Sequence, residues 1–167
     1  MLTTSDKPPV IPIGHLDLEN MQAAGLVRLF VAMLFAKVGS KHLSPGPASS
    51  IIFTSAMFAK KSTPNWSWIV AYSAGAFGIA KGLAVDLKPI RVNVVVPVAA
   101  RPHLGRASRC PQEQLDALMK AAVEKHLTGE VGHVEDLVEV YLYAMRDRNV
   151  TRSIISTDSG ALLGRMT

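Results

Sequence analysis

The chain has 167 residues, enough for one domain of ordinary size, and with 49% hydrophobic residues it can fill a buried core. Charged residues are 19% of the chain, which excludes a disordered polyelectrolyte, and the net charge of +5 is scattered with no basic run and no aromatic interleaving, which argues against a nucleic-acid partner. The single cysteine, Cys110, excludes an internal disulfide and fits a reducing compartment.

Met1 to Pro9 is polar and carries no apolar signal core. Leu16 to Val38 reads as a helix, with Asp17 near its start and Gly39 at its end. Met21, Leu26, Phe30, Met33 and Leu34 recur at helical spacing, and Val27, Val31 and Phe35 add a second apolar side, so this helix should be covered on more than one face. Its longest apolar stretch, Leu26 to Phe35, is interrupted by Arg28 and is too short to span a bilayer, so a soluble cytoplasmic protein without membrane contact is expected. Ser44-Pro-Gly-Pro is a turn, and Ile51-Ile-Phe-Thr-Ser reads as a short buried strand. A helix is predicted from about Ser67 to Leu87, stopped by Pro89. Ile90 to Val96 is β-branched, short and closed by Pro97, the pattern of a central parallel strand buried on both faces. A loop of small and polar residues, Ala99 to Arg109, precedes predicted helices over Pro111 to Leu127 and His133 to Arg146 and a last strand over Thr151 to Thr157. Alternating strands and helices predict a single α/β domain over 1–167, with a parallel sheet flanked by helices and right-handed crossovers.

Two stretches carry a family resemblance. Tyr72-Ser-Ala-Gly-Ala through Gly82-Leu-Ala-Val-Asp-Leu-Lys-Pro-Ile-Arg-Val-Asn to Pro97 resembles the segment of short-chain dehydrogenases/reductases that opens with Tyr-x-x-x-Lys and runs through a helix into a strand. Val150-Thr-Arg-Ser-Ile-Ile-Ser-Thr-Asp-Ser-Gly resembles the family's closing strand. Thr3 to Asp6 is similar to the end of the family's fourth strand, and Ser49 to Ser55 to its fifth. The resemblance therefore implies a truncated Rossmann-like sheet of family strands four to seven, without the βαβ unit whose glycine-rich turn holds the pyrophosphate of NAD(P). Gly75, Gly78 and Gly82 fall on one helix face and are expected to serve close packing rather than a phosphate cradle.

The resemblance also implies a site. The family tyrosine handles the substrate proton, and a lysine four residues on lowers its pKa and binds the nicotinamide ribose. Here Tyr72 is the candidate tyrosine, but position 76 is alanine, and a phenol alone has a pKa of about 10. Lys81 lies on the opposite helix face, and Lys60 and Lys61 would reach in only by an unusual path. Ser55 is the candidate serine, with Thr54 second; the 17 positions separating Ser55 from Tyr72 exceed the family spacing. A strand-end hydroxyl capping a backbone group is the competing reading of Ser55. Arg28 aligns with the family asparagine and would need a partner, Asp86 or another subunit. Val98 and Pro102 stand where the family has a glycine and a threonine on the nicotinamide side. His126 and His133 lack a third ligand at helical spacing, so no metal is expected, and Trp66 and Trp68 either line a pocket or cover a loop.

Together these residues predict a protein with a degenerate redox site and no confidently assigned cofactor, with Tyr72 and Ser55 as its candidate catalytic residues. It resembles divergent members encoded in fungal secondary-metabolite clusters, and would be a divergent or accessory pathway member. An NAD(P)H-dependent oxidoreductase acting on a carbonyl or alcohol of a small metabolite, and a non-catalytic structural subunit, are the alternatives. A homo-oligomer pairing helices 16–38 and 67–87 is expected.

Overall fold

A computed structural model describes residues 10–98 and 112–163, apart from the side chains at positions 27, 112, 114, 115 and 118. Thr3 to Asp6, Pro102 and Cys110 lie outside the described residues. Three parallel strands form the sheet: β1 (Ser50–Thr54), β2 (Arg91–Pro97) and β3 (Ile154–Thr157), in the order β1-β2-β3. The register runs from Ser50 beside Arg91 to Thr54 beside Val95, and from Val94 beside Ile154 to Pro97 beside Thr157. β2 is buried from Arg91 through Val96, as a β-branched run covered on both faces requires.

The first helical run is α1 (Leu18–Gly25), a π-helical segment (Leu26–Phe30) and α2 (Val31–Gly39). Asp17 caps it as expected: its carboxylate accepts from the Asn20 amide at 2.8 Å, which holds the Asp17 pKa below the ordinary carboxylate value. The π turn was not legible from the spacing. The expectation that this region is too short for a bilayer is corrected. Leu18–His42 and Ser67–Asp86 form helices of 25 and 20 residues, each long and apolar enough to cross a membrane by length and composition alone. Both segments are mostly exposed, so covering on more than one face is also not what the described residues show. Leu26, Phe30, Leu34 and Val38 are exposed at four-residue spacing.

The second long helix is α3 (Ser67–Asp86), followed after β2 by α4 (Gln112–Lys125) and α5 (Val134–Arg146). α2 and α3 cover one sheet face, where Ala36 and Ala80 pack on Ile51, Phe53, Val92, Val94 and Val96. α5 covers the other. There the buried Arg91 guanidinium donates to the carbonyls of Pro47 (2.7 Å), Ala144 (2.7 Å), Val150 (2.9 Å) and Met145 (2.6 Å), closing the end of α5. Asn93 donates to Val150 O at 2.8 Å and accepts from Ser153 N at 3.1 Å.

β3 begins at Ile154 rather than Thr151. Arg152 has φ 60°, so the chain turns there, while Thr151 Oγ1 accepts from Val92 N at 3.1 Å. The glycine expectation holds for one position of three. A Cβ on Gly75 would lie 2.8 Å from Leu29 Cδ1, whereas Gly78 and Gly82 have nothing within 4 Å.

Candidate functional site

The site region is the carboxyl end of the sheet on the α3 side. Parallel strands place paired side chains on the same face, so Phe53, Val94 and Ile154 share the face that packs on α3. One step further along, Ser55 N–H donates to Val95 O at 2.9 Å, extending the ladder and bringing Ser55, Val96 and Ser156 into one row.

α3 presents two distinct faces to this end. Its buried residues Ile69, Ser73, Ala76 and Ala80 recur at four- and three-residue steps and form the stripe against the sheet. Ser55 Oγ donates to the backbone carbonyl of Ser73 at 2.8 Å. The positions one turn apart on the face that meets Ser55 are therefore Ile69 and Ser73: one apolar, the other a buried hydroxyl. Tyr72 is turned roughly 70° away around the helix axis. Its ring lies on α1, where a Cβ at Gly25 would stand 2.8 Å from Tyr72 Cε1 and 3.0 Å from its hydroxyl oxygen. Gly25 carried no local signal in the sequence, because its partner lies on another helix. Ser55, at the end of β1, thus meets α3 at Ser73, the residue after Tyr72, and makes the backbone contact of the competing reading. Ala76 lies on the buried sheet-facing stripe.

Aromatic side chains surround the start of α3. Phe58 and Trp66 meet edge to face at 5.0 Å, and Trp68 meets Tyr72 at 6.4 Å and 86°. Asn65, at φ 65°, forms the turn that delivers them. Trp68 is buried, and its indole N–H has no hydrogen-bond partner among the described residues. Trp66 is half-buried, so the two tryptophans divide between rim and core.

On the opposite sheet face, Thr54 Oγ1 and the Tyr141 hydroxyl lie 2.7 Å apart. Burial raises the Tyr141 pKa above the ordinary phenol value, opposed by this hydrogen bond. Thr54 is therefore directed away from α3. Lys60 does reach the carboxyl end: its ammonium donates to Ser156 Oγ at 2.6 Å. Arg28 sits in the π segment. Val98 N–H donates to Thr157 O at 2.8 Å, and Val98 Cγ1 would lie 3.4 Å from a Cβ at Gly132. His126 Nδ1 lies 2.8 Å from Glu130 O, and His133 Nε2 lies 3.8 Å from the Glu130 carboxylate. Among the described residues no group of three His, Cys, Asp or Glu side chains is placed to hold a metal.

The three glycines of α3 form no phosphate cradle. Gly75, Gly78 and Gly82 lie inside α3, far from its first turn, and their amides are taken up by the helix rather than turned toward an anion.

Comparison with known proteins gives this arrangement a lineage. Residues 1–164 match the family model of an SDR-like Rossmann domain. The chain is 36% identical over 168 residues to the short-chain dehydrogenase/reductase malC of Malbranchea aurantiaca, covering 98% of this chain and 61% of that protein. It is 32% identical over 163 residues to fsr5 of Gibberella fujikuroi, again with 98% and 61% coverage. The chain thus spans about three-fifths of the length of these relatives. The solved structure of MalC Reductase/Diels-Alderase superposes with a TM-score of 0.84 over 96% of this chain and 60% of that one. A small-chain dehydrogenase in complex with NADPH superposes with a TM-score of 0.82 at 28% identity, covering 95% and 70%. The parallel sheet, the α3 helix beside its carboxyl end and the match along nearly the whole chain agree, and the chain belongs to the short-chain dehydrogenase/reductase family.

Proposed function

We propose that this chain is a family member with a degenerate redox site, a divergent or accessory component of a secondary-metabolite pathway that binds a small-molecule carbonyl or alcohol without hydride transfer. The observation that carries this reading is the α3 face opposite Ser55. Acid–base catalysis there would need a proton donor within hydrogen-bond reach and a neighbouring cation to tune it. Ile69 and Ser73 occupy that face, and Ala76 continues it. In this reading the Ser55 hydroxyl orients the ligand's oxygen, while Tyr72 packs between Gly25 and Trp68 and shapes the neighbouring wall.

The family cofactor is NAD(P), and the neighbour solved with NADPH favours the second reading, an NAD(P)H-dependent oxidoreductase. The test is NADPH oxidation by this chain with phenanthrenequinone as a reactive carbonyl. The degenerate reading expects a rate equal to the protein-free control. Turnover abolished by Ser55→Ala would overturn it.

The same reading places the protein in the cytoplasm as a homo-oligomer, with a second copy covering the two long helices. The exposed stripe of Leu26, Phe30, Leu34 and Val38 and the exposed Val85 of α3 support this, since open apolar area of that extent marks an interaction face. Leu34→Glu with Val38→Glu should convert the assembly to monomers by light scattering; an unchanged mass would refute this interface.

A further inference from the structure

A cation reaches the carboxyl end of the sheet from the loop after β1, not from the α3 face opposite Ser55. Lys60 follows the short 3-10 turn Met57–Ala59, immediately beyond β1, yet its ammonium bonds to Ser156 on β3. Between those strands lies β2, and the row Ser55, Val96, Ser156 runs beneath the side chain. Val96 is completely buried. Lys60 and Ser156 are both exposed, so a ligand arriving at the carboxyl end meets the ammonium first.

Among the described residues, the carboxylate that follows this row in the chain is engaged. Asp158, two residues beyond Ser156, receives the amides of Gly160 and Leu162 at 3.2 and 3.3 Å. The Lys60 ammonium has three donors and its hydroxyl contact uses one.

We propose that Lys60, held by Ser156, is an anion-binding residue of this site and selects ligands bearing a monoanionic oxygen, a carboxylate or an enolate. A single ammonium beside a single hydroxyl balances one negative charge; a phosphate or pyrophosphate would need donors beyond those that the described residues of this row supply. The inference rests on the carboxyl end of the sheet being the ligand site, but it requires neither cofactor nor turnover.

The test is an amide NMR titration of the full chain with benzoate, with benzamide as the uncharged control and inorganic phosphate as the dianionic one. Benzoate should shift Lys60, Val96 and Ser156 saturably at concentrations on the order of millimolar, and benzamide should not. Lys60→Met should weaken benzoate by about tenfold, while Lys60→Arg and Lys61→Met stay within about twofold of wild type. Equal benzoate affinity in Lys60→Met, no saturable benzoate shift in the wild type, or tighter binding of phosphate at the same amides would each overturn the proposal. Lys60-dependent benzoate binding in a chain that also oxidises NADPH would uphold this inference while removing the non-redox reading. No benzoate binding and no turnover would do the reverse.

Discussion

The two ends of the sheet are built on different terms. At the amino end of β2, Arg91 and Asn93 are buried and spend their polar groups on fixed backbone partners: four carbonyls for the guanidinium, and one carbonyl and one amide for the carboxamide. At the carboxyl end the Ser55 hydroxyl donates to Ser73 O and the Lys60 ammonium to Ser156, each a partly or fully exposed group in a single contact. A buried polar network is costly to break because its surviving members keep their desolvation penalty, whereas a half-exposed hydroxyl can exchange its partner for water or ligand. The first end fixes the fold; the second retains groups that a ligand can recruit.

The largest expected effect breaks the amino end. Arg91→Ala would leave the carbonyls of Pro47, Ala144, Met145 and Val150 without this donor and open a void between β2 and α5. It should cost on the order of 3–5 kcal/mol in denaturant unfolding, and Arg91→Lys should recover only part, because an ammonium lacks the planar fork. Equal stability of Arg91→Ala and wild type would remove the contrast between the two ends.

A smaller effect concerns the helix pair behind the site. Gly25→Ala drives a methyl into the Tyr72 ring and should cost about 1–3 kcal/mol, whereas Gly78→Ala meets open space and should stabilise by up to about 1 kcal/mol. Tyr72→Ala should relieve most of the Gly25→Ala penalty. Penalties of equal size at Gly25 and Gly78 would mean that helix propensity, not the Tyr72 contact, governs these positions.

A still smaller effect is a pH dependence on the face opposite α3. The folded state favours neutral Tyr141, because burial raises its pKa. The stability it contributes is full below the ordinary phenol pKa of about 10 and is lost as pH rises through the higher folded value. Tyr141→Phe should therefore flatten the alkaline limb of the stability profile, measured by urea midpoints between neutrality and strong alkali. An unaltered limb would assign alkaline sensitivity to other groups.

Much of the scaffold could be read from the chain because its signals are local. The β-branched run ending at Pro97 marked β2, and Asp17 marked the start of α1. The start of β3 was missed because Thr151 and Ser153 suit a strand, while the left-handed Arg152 between them turns the chain to bond β2. The site was less legible, because its contacts are nonlocal. Gly25 and Tyr72 meet between helices, Ser55 finds a backbone carbonyl rather than a side chain, and Lys60 crosses the sheet to Ser156. The family resemblance centres on Tyr72-Ser-Ala. The periodic stripe Ile69, Ser73, Ala76, Ala80 was present in the same segment and would have identified the sheet-facing side of α3.

The arrangement of Ser55 and Tyr72 decides whether a proton relay exists, and a double-mutant cycle measures it directly. If Ser55 bonds to Ser73 O and Tyr72 rests on Gly25, the unfolding free-energy changes of Ser55→Ala and Tyr72→Phe should add to within about 0.5 kcal/mol in the double variant. A coupling of about 1 kcal/mol or more would show the two hydroxyls acting on each other, and would contradict the account.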